Sequence, residues 1–206
     1  MPAPCIFLLS PAHCGGKRAQ LVLREQASFS LALKLRSREG ATLGETFTFL
    51  SGLYFRGKLA YAEHFASPPV GHPGVMVITT NRGLLTPETR IDLAELKALG
   101  CDSIDAEHEG YRVPLERDVT RLAKKAPDAQ VVLLGSVATG KYVDILLEIL
   151  GQRLLFPHDF IGRGDMSRGG LMLRSVRDDR ELAYVPVAGA VRRGKRPPKL
   201  VPRIPS

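Results

Sequence analysis

Two segments of the 206-residue chain share a design suited to holding an anion: an apolar run, a Gly-containing turn and a Lys opening the next helix. The first is LLSPAHCGGKR, with Ser10, His13, Gly15, Gly16, Lys17 and Arg18; the second is LLGSVATGKYVD, with Gly135, Ser136, Thr139, Gly140 and Lys141. Free N–H groups at such a turn attract phosphate or carboxylate, Gly permits close approach, and Lys adds charge. The second segment is one residue short of G-x-x-x-x-G-K-[ST]. Tyr142 stands where a small magnesium-binding hydroxyl belongs, and a phenol cannot tuck against the metal in its place. No later apolar run ends in Asp. The segment therefore reads as a Gly-rich turn with a solvated Lys, or as a general phosphate contact, rather than as an ATPase loop.

A third stretch, FPHDFIGRGDMSRGGLMLR (156–174), reads as a polar loop between two apolar runs. Arg163 and Arg168 offer planar forks for phosphate or carboxylate. Asp165 and Ser167 either orient a substrate or cap the turn, so an ion-paired loop that merely holds its own shape is the alternative. If the chain is an enzyme, His13 is the first acid–base candidate, with Asp165 as a second polar group. His158, beside Asp159, ranks next. His64 reads as a helix boundary residue, and His72 and His108 as loop residues. Asp102, Asp105, Glu107, His108 and Glu109 lack the spacing of a calcium loop. Cys5, Cys14 and Cys101 form neither a disulfide framework nor a zinc pattern. No G-x-S-x-G or H-E-x-x-H motif occurs, so neither a metal nor a cofactor is expected.

These residues need a scaffold, and the apolar pattern supplies one. CIFLLS (5–10), GVMVITT (74–80) and QVVLLG (130–135) read as buried strands, with RLLFP (153–157), LMLRSV (171–176) and ELAYVPV (181–187) as shorter ones. Helical spacing marks 17–38 as one helix or a pair broken near Ser28 or Ser30. It also marks 53–66, a short helix ending at Gly100, 114–127 with Pro114 early, and 142–151. The segment 101–113 reads as an acidic loop. Strands alternating with helices predict a three-layer α/β fold: a mostly parallel sheet, helices on both faces and an antiparallel extension near the C-terminus. The expected organisation is one α/β domain over 1–188 and a basic, Pro-rich arm over 189–206.

The charge is segregated. The chain carries 29 Lys and Arg against 21 Asp and Glu, a net +8. Residues 183–206 hold Arg192, Arg193, Lys195, Arg196, Lys199 and Arg203 with no acidic residue, leaving only +2 for the rest. Such a tail faces a polyanion more readily than it describes a basic enzyme. With 44% hydrophobic and 24% charged residues, disordered and coiled-coil classes are excluded. No apolar run is long enough to span a membrane, and no basic residue precedes the first apolar run as in a secretory signal. A reduced, cytoplasmic setting is the expectation.

Several runs resemble a family of uncharacterised bacterial α/β domains: LLSPAHC (8–14), LYFRGKLAYAEHF (53–65), ITTNRGLLTPET (78–89) and VVLLGSVATGKYVDIL (131–146). LLSPA (8–12), LSGLY (50–54) and RGLLTP (82–87) are distantly similar to the YaaA peroxide-stress proteins, a DNA-binding family. The Lys that follows SPA in that family is His13 here, its continuous LSGLYGLL run is split in two, and the basic arm belongs to neither pattern. The resemblance implies the α/β fold and a nucleic-acid connection. It also places Ser10, His13, Arg56, Lys58, Asn81, Arg82, Gly135, Ser136 and Tyr142 on one side of the sheet, with Arg56 and Lys58 flanking Gly57.

Two readings follow. In the first, the chain binds nucleic acid, DNA or RNA, through phosphate contacts at Ser10, Gly15, Gly16, Lys17, Arg56, Lys58, Arg82, Gly135, Ser136, Gly140, Lys141, Arg163, Ser167 and Arg168, with the arm adding sequence-independent affinity. In the second it is an enzyme acting on a nucleotide, a nucleobase within nucleic acid or a phosphorylated metabolite, with His13 as the acid–base residue. Whether His13, Lys141 and Arg168 meet in one pocket separates the two.

Overall fold

The computed structural model describes residues 3–102, 104–138, 140–198 and 200. Thr139, Lys199 and Arg203 lie outside them. The first buried run forms β1 (Cys5–Leu9) at the middle of a six-stranded sheet. β3 (Val75–Ile78) pairs parallel on one side of it, and β6 (Gln130–Leu134) pairs parallel on the other. β7 (Leu154–Pro157) continues the parallel order beyond β6. Antiparallel edges close both sides. β4 (Leu84–Leu85) lies against β3, and β8 (Tyr184–Pro186) against β7. A two-stranded ribbon, β2 (Ala41–Thr42) with β5 (Arg90–Ile91), stands apart.

Alternation along the strands divides the core into two. Phe7, Leu9, Val77, Val132 and Leu134 face one layer. That layer comprises α1 (Lys17–Leu23), α2 (Ser30–Arg36), α3 (Leu43–Ser51), α4 (Leu53–Phe65), α5 (Leu93–Cys101) and α8 (Asp165–Arg177). Ile6, Leu8, Ile78, Val131 and Leu133 face the other layer, α6 (Glu109–Lys125) and α7 (Gly140–Leu150). This is a three-layer α/β fold with a mostly parallel sheet and an antiparallel C-terminal extension. No helix among the described residues is long and apolar enough to cross a membrane.

Three local expectations change. LMLRSV (171–176), read as a strand, is the second half of α8, and the supposed polar loop is a 3-10 turn followed by that helix. Arg168, Met172 and Ser175 are buried at helical spacing, a period that the Gly pair at 169–170 hid. α6 begins at Glu109, inside the segment read as an acidic loop. Pro114 gives up one backbone donor there, while Tyr111 and Leu115 anchor the helix on either side. The segment 17–38 is a pair of helices, one of the two forms expected, whereas α3 was not marked by any apolar period.

Topology fixes where a ligand belongs. From β1 the chain crosses to β3, and from β6 it crosses the other way to β7. Adjacent strands whose connections leave in opposite directions open a crevice at their carboxyl ends. The residues following β1 and β6 are Ser10–His13 and Gly135–Val137.

Candidate functional site

At that crevice the segment after β1 meets one buried side chain, Lys58 of α4. The residue is 1% exposed. It donates to Ser10 Oγ at 3.0 Å and to the Ser10 carbonyl oxygen. It also lies 4.5 Å from the Tyr54 ring centre and 4.9 Å from that of Phe55. No carboxylate is within ion-pair distance of it among the described residues. Burial pushes its pKa down from 10.5 to about 7; Asp165 opposes the shift and Arg168 adds to it. A lysine held this way exchanges its proton near neutrality.

Tyr142 completes the cluster. Its hydroxyl accepts the Ser136 N–H at 2.9 Å and hydrogen-bonds the Ser10 side chain. Burial raises its pKa, so the phenol stays protonated. Ser10 Oγ thus sits between an amine that donates to it and a phenol oxygen that it reaches. When Lys58 is neutral, the same hydroxyl can give its proton to the amine instead.

Close backbone approach makes the cluster possible. A Cβ on Gly57 would lie 2.7 Å from the Gly169 carbonyl oxygen, and one on Gly169 would lie 2.7 Å from that of Leu53. α4 and α8 therefore touch backbone to backbone, which sets Lys58 beside Arg168 and Asp165. A Cβ on Gly135 would lie 2.9 Å from both Ser10 Cβ and the Tyr142 hydroxyl. Gly135 thus allows β6 to end against Ser10, a packing role in place of the expected phosphate contact.

The other anticipated residues divide into groups. His13 and Lys141 line one recess of about 380 Å³ with Gly15, Thr80, Gly100 and Asp102; it begins at Pro11, one residue from Ser10. Arg168 is not part of that recess, so the three residues do not meet in one pocket and the enzyme reading loses the convergence expected of His13, Lys141 and Arg168. It is 8% exposed, and its fork donates to the Phe160 carbonyl oxygen at 3.0 and 3.2 Å and reaches Asp165 at 3.7 Å. It clamps the turn before α8 instead of offering a free phosphate contact. Arg163 bonds Ser167 Oγ at 3.3 Å and the Pro198 carbonyl oxygen at 3.4 Å, so Ser167 holds the guanidinium. Gly140 opens α7 with the Asp144 carboxylate against it, a like charge in the way of any anion there. Gly16 precedes the short α1, and Lys17 is exposed on it. Arg56 is exposed on α4, and Arg82 pairs with Glu95 at the sheet edge, away from the crevice. Lys58 and Ser10, expected only to touch phosphate, instead hydrogen-bond each other in the interior. Sequence spacing could not show this, because nothing at position 58 marks a buried lysine.

The arm does not stand free of the body. Arg192 reaches Asp144 at 3.6 Å, and Arg193 donates to the Ala138 carbonyl oxygen at 3.2 Å. Gly162, at φ +70, leaves room for the Lys195 carbonyl. The arm thereby crosses the carboxyl ends of β6 and β7, with Arg193, Lys195 and Arg196 exposed along it.

Comparison with protein-family models, with curated proteins and with solved structures finds no match to this chain. Function is therefore read from the site.

Proposed function

We propose that this protein is an enzyme that attacks an electrophilic centre of a nucleotide-type phosphate ester, free or within nucleic acid, with Ser10 as nucleophile and Lys58 as its base. The observation that carries the reading is the fully buried Lys58, without a carboxylate partner, donating to a serine hydroxyl at the strand-order reversal. Burying an unpaired ammonium is costly, and a fold that merely needed to fill this space would use an apolar side chain. In the reaction, the Ser10 Oγ–phosphorus bond forms as the Oγ proton passes to neutral Lys58. The leaving oxygen departs with a proton from His13 on the wall of the adjoining recess. Water, losing its proton to the now neutral His13, then attacks the phosphoserine phosphorus; the Oγ–phosphorus bond breaks and the proton on Lys58 returns to Oγ. Tyr142, itself held by the Ser136 N–H, keeps Ser10 in place.

A fluorophosphonate probe tests this without knowledge of the substrate. Labelling should occur on Ser10, increase as pH rises through about 7, and vanish in Lys58→Met. A folded wild-type protein that remains unlabelled at mildly alkaline pH would defeat the proposal.

The crossing arm favours a polyanionic substrate, the reading in which nucleic acid is bound. Each phosphate contact on duplex DNA contributes about 0.9 to the slope of log affinity against log salt. Removing residues 189–206 should lower that slope by about 2 to 3, from the loss of exposed Arg193, Lys195 and Arg196. An unchanged slope on filter binding would take the arm out of recognition.

A further inference from the structure

A recess of about 640 Å³ lies at the β3–β4 edge of the sheet and shares no lining residue with the recess beside Ser10. Met76, Leu84, Leu85 and Leu122 give it an apolar lining, and Arg82, Arg117, Arg121 and Lys125 stand around them. Asp118 is the one acidic residue among those that line it. That carboxylate is already satisfied: it accepts the Leu84 N–H at 3.0 Å and two bonds from Arg117 at 2.9 and 3.0 Å. Arg82 is paired with Glu95. Arg121 reaches only the engaged Asp118, at 4.0 Å, and Lys125 has no ion-pair partner among the described residues. Arg117, Arg121 and Lys125 follow one another at intervals of four on α6. Like charges so placed repel one another, and Asp118 is already committed to Arg117 and the Leu84 N–H.

Asn81 lines the recess, and its amide nitrogen donates to the Ala98 carbonyl oxygen at 3.2 Å and to Asp102 at 2.8 Å. Those two acceptors fix the amide orientation and leave its buried oxygen without a partner. The recess thus combines an apolar lining with unmatched positive charge. We infer that it binds a nucleoside phosphate: the base lies on the apolar lining and the phosphate lies against Arg121 and Lys125. The volume lies within the range of small-molecule sites. This inference stands apart from the chemistry at Ser10, because the two sites use different residues.

Calorimetric titration of the full chain tests it, using the nucleoside 5′-monophosphates, their nucleosides, inorganic phosphate and a short single strand carrying a terminal phosphate. At least one mononucleotide, or the phosphorylated strand, should bind more tightly than phosphate or nucleoside alone. That affinity should fall by about tenfold or more in Arg121→Gln/Lys125→Gln, since losing two charge-assisted contacts costs at least that much. It should persist in Lys58→Met. Binding by a mononucleotide identifies free nucleotide as the occupant, and binding confined to the strand identifies a strand terminus. Both positions are exposed, so the double variant keeps its fold. Binding by neither probe, binding indifferent to the double substitution, or binding lost in Lys58→Met overturns the inference.

Discussion

Replacing Lys58 by Met removes the charge while keeping an unbranched chain of similar length among Tyr54, Phe55 and Ser10. Lowering the Lys58 pKa from 10.5 in the unfolded chain to about 7 in the folded one has a thermodynamic cost. At about 1.4 kcal/mol per pH unit, it amounts to roughly 5 kcal/mol of stability forgone wherever both states are protonated. Below pH 7 that cost applies in full. As pH rises from 7 toward 10.5, the folded lysine is neutral while the unfolded one still binds a proton, so the wild-type protein gains stability. Between pH 7 and pH 9 the gain from this one group is about 2 kcal/mol. Lys58→Met has no such group and lacks the gain, and comparing the two proteins cancels the titrations they share. Urea denaturation at both pH values should therefore show the variant's advantage shrinking by about 2 kcal/mol from pH 7 to pH 9. Loss of the Ser10 bonds changes the size of that advantage but not its pH dependence. A difference between the proteins that is flat with pH would show that Lys58 does not titrate near neutrality, and the proposed base would lose its basis.

Two further outcomes follow from packing. Gly169→Val sets a branched side chain where even a Cβ meets the Leu53 carbonyl oxygen at 2.7 Å, so α4 and α8 must separate. A destabilisation of about 3 kcal/mol in denaturant is expected, together with loss of fluorophosphonate labelling, and a neutral effect would contradict the backbone contact that positions Lys58. Burial pushes the Cys5 and Cys14 thiols up to about 12, while Cys101 is exposed. A disulfide reagent at pH 8 should titrate one thiol in the native protein and three after denaturation, and rapid reaction of more than one native thiol would refute the buried placement of β1 and the following turn.

Much of the framework was legible in local pattern. Unbroken apolar runs at 5–9, 75–78 and 131–134 announce strands covered on both faces, and the Gly-rich turns after the first and third mark where a crevice opens. The amphipathic period at 53–65 announces α4, although nothing in it separates a lysine in water from one in the core. The error at 171–176 has a local cause too: two adjacent glycines weaken a helical reading, and only packing against α4 explains why a helix tolerates them.

The roles of the polar residues depended on distance across the fold. Ser10 and Lys58 are 48 positions apart, and they meet because β1 ends at the strand-order reversal while Gly57 and Gly169 let two helices touch. His13, with its familiar chemistry and Gly-rich surroundings, is exposed on a neighbouring wall, whereas an unremarkable lysine is buried against a hydroxyl. Arg168, with the same fork as any phosphate-binding arginine, is committed to a carbonyl. Sequence determined the buried strands of the sheet and most of its helices, because those follow from the periodicity of apolar side chains. Tertiary structure alone decided which ionisable groups carry chemistry, because pKa and proton transfer depend on desolvation and on contacts between segments far apart in the chain.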